Sequence, residues 1–180
     1  MAQQANNRAS SDMAVQASSP TTPVGVPILV DNTLRHALPA GSRVLTSRGE
    51  AAIETLVPGD RVITRDHGMA LVHDVIHTRV SPGTPMVMVP ANAMGAARPE
   101  RDIALPPDQP LVLRDWRART IFGAHEARVA VARLVDGSVI RFTRTKGCEV
   151  YSLVLDRPSA LYVDGLEIVS GSRSAMEPAP

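Results

Sequence analysis

Leu38-Pro39-Ala40-Gly41-Ser42-Arg43-Val44-Leu45-Thr46-Ser47-Arg48-Gly49-Glu50 leads through two alanines into Ile53-Glu54-Thr55-Leu56-Val57-Pro58-Gly59-Asp60-Arg61-Val62. Short β-rich runs alternate here with turn signals. Arg43-Val44-Leu45-Thr46, Ala52-Ile53-Glu54-Thr55-Leu56 and Arg61-Val62-Ile63-Thr64 are separated by Ser47-Arg48-Gly49-Glu50 and by Pro58-Gly59-Asp60. The pattern predicts a β meander. Gly41 and Gly59 stand where strands turn sharply, Pro58 pre-sets φ, and Asp60 is placed to hydrogen-bond its own turn. These residues are mostly scaffold.

Working outward, the same rhythm continues. Residues 70–80 read as one long curved strand, closed by Pro82-Gly83 before Met86-Val87-Met88-Val89. Later strand candidates are Leu111-Val112-Leu113, Ser138-Val139-Ile140-Arg141-Phe142, Glu149-Val150-Tyr151-Ser152-Leu153-Val154-Leu155 and Ala160-Leu161-Tyr162-Val163. Residues 126–135 alternate like a strand, but their alanines and arginines suit a helical turn, and both readings stand. Aromatic residues make up 3% of the chain, so the core must be built from Val, Leu, Ile and Ala. Fifteen prolines and twelve glycines break the chain often. Together these predict an all-β domain of short twisted strands; a helical bundle does not fit.

Three segments are expected. Residues 1–26 are rich in Gln, Asn, Ser, Ala, Thr and Pro without periodic apolar positions and read as a disordered tail, as do residues 170–180. Residues 27–169 form the folded unit. Its longest apolar runs, such as Val26-Pro27-Ile28-Leu29-Val30, fall far short of the roughly 20 residues that span a bilayer, so a soluble chain with no membrane span is expected. No apolar stretch of signal-peptide length follows Arg8, which leaves the compartment open between the cytoplasm and export without a cleavable signal. Nineteen basic against eighteen acidic residues give a net charge of +1, so nucleic acid is an unfavoured partner. A single cysteine excludes an internal disulfide and any cysteine-based metal site.

The opening meander resembles the start of a Hint domain, the Hedgehog/intein fold. The likeness continues through Asp66-His67-Gly68, Arg101-Asp102-Ile103-Ala104-Leu105-Pro106-Pro107-Asp108-Gln109, Tyr151-Ser152-Leu153-Val154-Leu155-Asp156-Arg157 and Val163-Asp164-Gly165-Leu166. It spans about Leu38 to Val169 and is similar above all to short bacterial Hint domains. Self-processing in that family begins when a Cys or Ser at the domain's first residue attacks the preceding carbonyl. Counting back from Gly41-Ser42, that position is Ala37, which carries only a methyl group. The family's Thr-x-x-His motif, whose His protonates the leaving amide nitrogen, falls on Pro106 and Gln109. A His that often follows Asp-Arg is replaced by Pro158, and no Asn after Asn92 is present for the terminal cyclisation of splicing. The resemblance therefore implies a Hint fold with degenerate positions Ala37, Pro106 and Gln109, no catalytic, cofactor or metal residues, and no self-processing.

Other clusters have ordinary explanations. Cys148, after a lysine, reads as a small packed residue at a strand start. His73 and His77 would lie about 13 Å apart on one strand and cannot share an ion without His67 or His125 arriving from elsewhere, so they read as a solvated face. Arg114-Asp115-Trp116-Arg117-Ala118-Arg119, with Arg98 and Arg101 upstream, is a candidate loop for anions or bases; the plainer reading has Trp116 covering the core and the arginines meeting Asp108 and Asp115. The expected function is a monomeric interaction or structural module with an unidentified protein partner. The alternatives are residual autocatalytic cleavage at His36-Ala37 using a hydroxyl such as Ser42, and anion or nucleic-acid binding through residues 114–119.

Overall fold

The computed structural model describes residues 34–173; the expected tail at residues 1–26, residues 27–33 of the expected folded unit and residues 174–180 of the expected tail at 170–180 lie outside them. Fifteen strands, one short helix and two single 3-10 turns make up the described chain. The domain is all-β, as expected.

The opening meander forms β1 (Ala37–Pro39), β2 (Arg43–Thr46), β3 (Gly49–Ala52) and β4 (Arg61–Thr64). β2 and β4 bury every second residue: Val44 and Thr46, then Val62 and Thr64. That is the period-2 pattern of a half-buried strand. The turn at Pro58-Gly59-Asp60 also forms. Gly59 takes φ 99°, the Asp60 amide donates to the Val57 carbonyl at 3.1 Å, and the Asp60 carboxylate accepts from the Val57 amide at 3.0 Å and from Arg48 at 2.7 Å. Ala52 to Leu56 is not one strand. β3 stops at Ala52, and Ile53–Thr55 close a 3-10 turn that drives Ile53 fully into the core while the Thr55 hydroxyl donates to the Ala52 carbonyl.

Residues 70–80 are likewise two strands, β5 (Gly68–Leu71) and β6 (Asp74–Val80). The break at Val72 has a cause: its amide and carbonyl are taken by Asp60 and Gly59, both at 2.8 Å, and its side chain is buried. The chain thereby leaves one sheet for another. β7 (Pro85–Val89), β8 (Ile103–Leu105) and β9 (Pro110–Leu113) follow.

Residues 114–119 are not a loop. The Asp115 carboxylate accepts from the Arg117 amide at 2.9 Å and caps the helix α1 (Trp116–Phe122), which ends at Gly123 in the left-handed conformation. The ambiguous stretch 126–135 takes both of its readings in turn, as strand β10 (Ala127–Ala130) and then a 3-10 turn, Val131–Leu134. The strand expected from Ser138 starts later, as β11 (Arg141–Arg144). One oxygen of Asp136 accepts from the amides of Ser138, Val139 and Ile140 at 2.8–3.0 Å, so those residues form a side-chain-capped turn. β12 (Cys148–Leu155), β13 (Ala160–Val163) and β14 (Leu166–Val169) complete the expected set.

The folded unit does not stop at Val169. Gly171–Ser172 form a last strand, β15, parallel to β12, and Ser170, Gly171 and Ser172 are all buried. Their composition reads as a tail, but Ser159 and Ser170 exchange two hydrogen bonds that hold the segment down.

The strands make three sheets. β10-β9-β14-β13-β2-β4-β5 with β3 on β2 is the largest, β11-β7-β8 is the smallest, and β12 carries β1, β6 and β15. One aliphatic cluster joins them, including Val44, Ile53, Val62, Leu105, Leu111, Leu153, Leu161 and Ile168. Burying each such side chain is worth about 1.5–3 kcal/mol, so few aromatics suffice. Among the described residues no helix is long and apolar enough to cross a membrane.

Candidate functional site

β12 has two edges, and their occupancy creates the site. β6 runs antiparallel along one edge from Cys148↔Val80 to Val154↔Asp74. On the other edge β1 pairs antiparallel through Ala37↔Ser152 and Pro39↔Val150, and β15 pairs parallel through Val154↔Gly171 and Leu155↔Ser172. β15 takes over the edge where the chain upstream of Ala37 leaves it. The beginning and end of the domain meet at His36-Ala37.

A turn between β8 and β9 closes this meeting point from the side. Pro107-Asp108 are its corner, with the Gln109 amide donating to the Pro106 carbonyl at 3.0 Å, a geometry that proline after the first position favours. The turn is pinned because the Val131 amide donates to the Gln109 carbonyl at 2.9 Å and the Ala132 amide to that of Pro107 at 3.0 Å. Gln109 is fully buried, and its Nε2 donates to the carbonyls of Val169 at 3.1 Å and Pro110 at 3.2 Å.

The Val169 carbonyl has a second donor, His36 Nδ1, at 3.0 Å. A carbonyl oxygen only accepts, so Nδ1 carries the proton. Burial pushes the His36 pKa below the ordinary imidazole value and the neighbouring Arg35 adds to this, while the bond to Val169 opposes it. His36 is thus a neutral imidazole held against the strand that leads to β15. Two polar atoms around this seam, Gln109 Oε1 and Ser172 Oγ, are buried with no hydrogen-bond partner among the described residues.

The three positions marked by the family resemblance therefore separate into two groups. Pro106 and Gln109 share the turn that reaches the domain's beginning and end, whereas Ala37, 1% exposed, packs from β1 into a small cluster with Val80 and Val150. A family model described as Hint domain matches residues 36–172, the limits within which this seam is built. The chain belongs to the Hint domain family.

A search of curated proteins returns no match. Among solved structures, this Hint domain is similar to a bacterial intein-like domain from Clostridium thermocellum, at 18% identity and TM-score 0.54 over 76% of this chain and 98% of that one. It is also similar to a DnaB intein from Synechocystis, at 15% identity and TM-score 0.51 over 76% and 98%. At these identities the likeness speaks for the fold.

Nucleophiles elsewhere in the Hint domain stand off from the His36-Ala37 bond. The Ser42 hydroxyl is buried and donates to the Pro39 carbonyl at 2.7 Å. Cys148 packs against the cluster of Ala37, Val80 and Val150, but along β12 it lies four residues from Ser152, the register partner of Ala37, about 13 Å at strand spacing. Its packed role is the one its sequence context suggests. Ser152, directly opposite Ala37 in register, is the hydroxyl that the sequence reading passed over. The register of β1 on β12 is a tertiary fact, and nothing near Ser152 in the sequence announces it.

The other candidates do not assemble. His73 Nε2 lies 2.7 Å from Asp156, while His77 reaches Glu149 and stacks on Tyr151 with ring centroids 4.8 Å apart. His67 donates its amide to Thr64, and His125 faces Arg119. Among the described residues no three His, Cys, Asp or Glu side chains are grouped to hold a metal. Trp116 does not cover the core: it is 63% exposed, with the Arg117 guanidinium 4.8 Å from its ring centre, and the helix residue buried there is Ala118. The arginines do meet acids, Arg117 pairing with Asp115 at 2.7 Å and Arg114 with Glu167 on β14, but Asp108 is not their partner.

Proposed function

We infer that this Hint domain has lost self-cleavage and serves as a folded interaction or structural module. The observation that carries the reading is the buried Ala37 methyl group, at the position that the family resemblance gives to the first nucleophile. Cleavage through an ester or thioester needs a sulfur or oxygen to attack the His36 carbonyl carbon. It also needs a proton for the departing Ala37 nitrogen. A methyl group supplies no attacking atom. Gln109 cannot exchange a proton near neutral pH, and its Nε2 hydrogens are already engaged by two carbonyls. His36 itself has its one ring proton on Val169. What remains is a seam that joins β1, β15 and the β8–β9 turn, which supports a structural use for machinery built around a scissile bond.

The test is intact-mass measurement of the chain fused behind a small N-terminal protein, incubated with and without dithiothreitol or hydroxylamine. Both reagents release ester or thioester linkages. The expected result is a single unchanged mass under all conditions. A fragment boundary at His36-Ala37 overturns the reading, and Ser152→Ala then asks whether the hydroxyl opposite Ala37 made the attack.

A further inference from the structure

β11 is the outer strand of the smallest sheet, and among the described residues it pairs along one side only, with β7. Arg141, Phe142 and Arg144 on it are exposed, Phe142 at 54%. The ladder shows which backbone groups face the open side. The Thr145 amide donates to the Thr84 carbonyl at 3.1 Å, one step beyond the Arg144↔Pro85 pair. Hydrogen-bonded and non-bonded pairs alternate along antiparallel strands, so Arg141 and Thr143 turn their amides and carbonyls to β7, while Phe142 and Arg144 turn theirs outward. Pro85, opposite Arg144, has no amide to give and fits this phase.

The side chains add a preference. Phe142 lines a groove of about 520 Å³ whose other apolar walls are Leu34, Val80, Pro85, Pro106 and Pro107. That volume is in the range that takes in a small ligand or a few side chains. Arg35 and Arg79 line it too, against one acid, Asp108. By strand alternation Arg144 shares the Phe142 face, where it donates to the Gly83 carbonyl at 2.8 Å, and Arg141 lies on the other face. Among the described residues neither arginine is paired with an acid. A second copy of this chain is a poor occupant, because pairing β11 with itself gathers four arginines along one short ladder. We propose that β11 is a docking edge for an extended acidic segment of a partner protein, which adds a strand antiparallel to it. Acids of the segment stand opposite Arg144 and Arg141, and an apolar residue between them stands opposite Phe142 and enters the groove. This rests on the interaction-module reading and names its partner class; it does not depend on whether the bond at His36-Ala37 can be cleaved.

The test uses the full chain and an end-blocked synthetic peptide, Thr-Val-Asp-Thr-Val-Glu-Val-Thr, with a control peptide in which lysines replace both acids. At low salt the acidic peptide should bind at least about ten times more tightly than the control, and Arg141→Glu with Arg144→Glu should reverse that order. In the unaltered chain, the acidic peptide should slow amide hydrogen exchange at Phe142 and Arg144 at least about fivefold, leaving Arg141 and Thr143 as they were. Absent binding, equal affinity for the two peptides, or binding that leaves the Phe142 and Arg144 amides unchanged overturns the docking edge. So does a peptide-free chain in which those amides are already protected and sedimentation finds a dimer. None of these outcomes bears on the loss of cleavage, which the intact mass reads separately.

Discussion

Two buried polar knots tie distant parts of this Hint domain together, and they are satisfied to different degrees. At the β13–β14 hairpin, Asp164 accepts from Arg101 Nε at 2.9 Å with one oxygen and from the Arg43 amide at 3.2 Å with the other. Its own amide donates to the Arg43 carbonyl at 3.0 Å, and its carbonyl accepts from Glu100 at 2.9 Å. Asp164 and Gly165 both take positive φ, 46° and 80°, the requirement of a two-residue turn whose twist matches its strands. At the seam, Gln109 uses its nitrogen twice and leaves its oxygen without a partner. The first knot ties the hairpin to two distant segments and has both carboxylate oxygens and both backbone groups of Asp164 in use. The second holds a buried amide that is satisfied only in part.

The sharpest way to break this contrast is Gly165→Ala. A Cβ there would come 2.1 Å from the Ala97 carbonyl oxygen, in a conformation that L-residues resist, so a loss of about 3 kcal/mol is expected, read by urea denaturation. Next is Asp164→Ala, which strands the Arg43 amide and frees Arg101. Because Arg101 is half-exposed and can rehydrate, the expected loss is about 2–3 kcal/mol, with Asp164→Asn recovering part of it through its acceptor oxygen. At the other knot, Gln109→Met removes an unpaired buried oxygen along with two hydrogen bonds, and the change should stay within about 1 kcal/mol. A loss at Gln109 as large as that at Asp164 would show that the seam is as tightly fitted as the hairpin.

The smallest effect is one of pH. The folded state holds the His36 pKa down, so below about pH 6.5 the unfolded chain takes up a proton that the folded one resists. Stability from this source is complete above that pH and declines as pH falls through the range where the unfolded imidazole titrates. His36→Asn should flatten the decline between pH 7 and pH 5 without altering stability at pH 8 by a comparable amount.

The two knots also mark where sequence reading succeeds. Gly59 and Asp60, or Asp164 and Gly165, announce turns because the constraint is local: a positive φ or a side chain folding onto its own backbone. Ala37, Pro106 and Gln109 come from the family pattern, and the structure places Ala37 on β1 and the other two on the β8–β9 turn. What the sequence hides is partnership over distance. Arg101 and Arg43 lie 63 and 121 residues from Asp164. Ser152 faces Ala37 only through the register of β1 on β12. The errors share that origin: Asp136 draws three amides away from a strand pattern at Ser138, Val72 is pulled out of a continuous run by Gly59 and Asp60, and a Gly-Ser segment becomes a strand because β12 has an edge free to receive it.

That shared edge has a topological consequence. β1 and β15 lie end to end along β12, and the His36 Cβ is 3.8 Å from where a Cβ on Gly171 would stand. The chain therefore enters and leaves the domain at one point, and the fold is close to a closed ring in three dimensions. Such a body can be spliced by genetic fusion into a surface loop of a host protein without spreading the loop's ends, or be joined head to tail and reopened at a distant turn such as Pro82-Gly83.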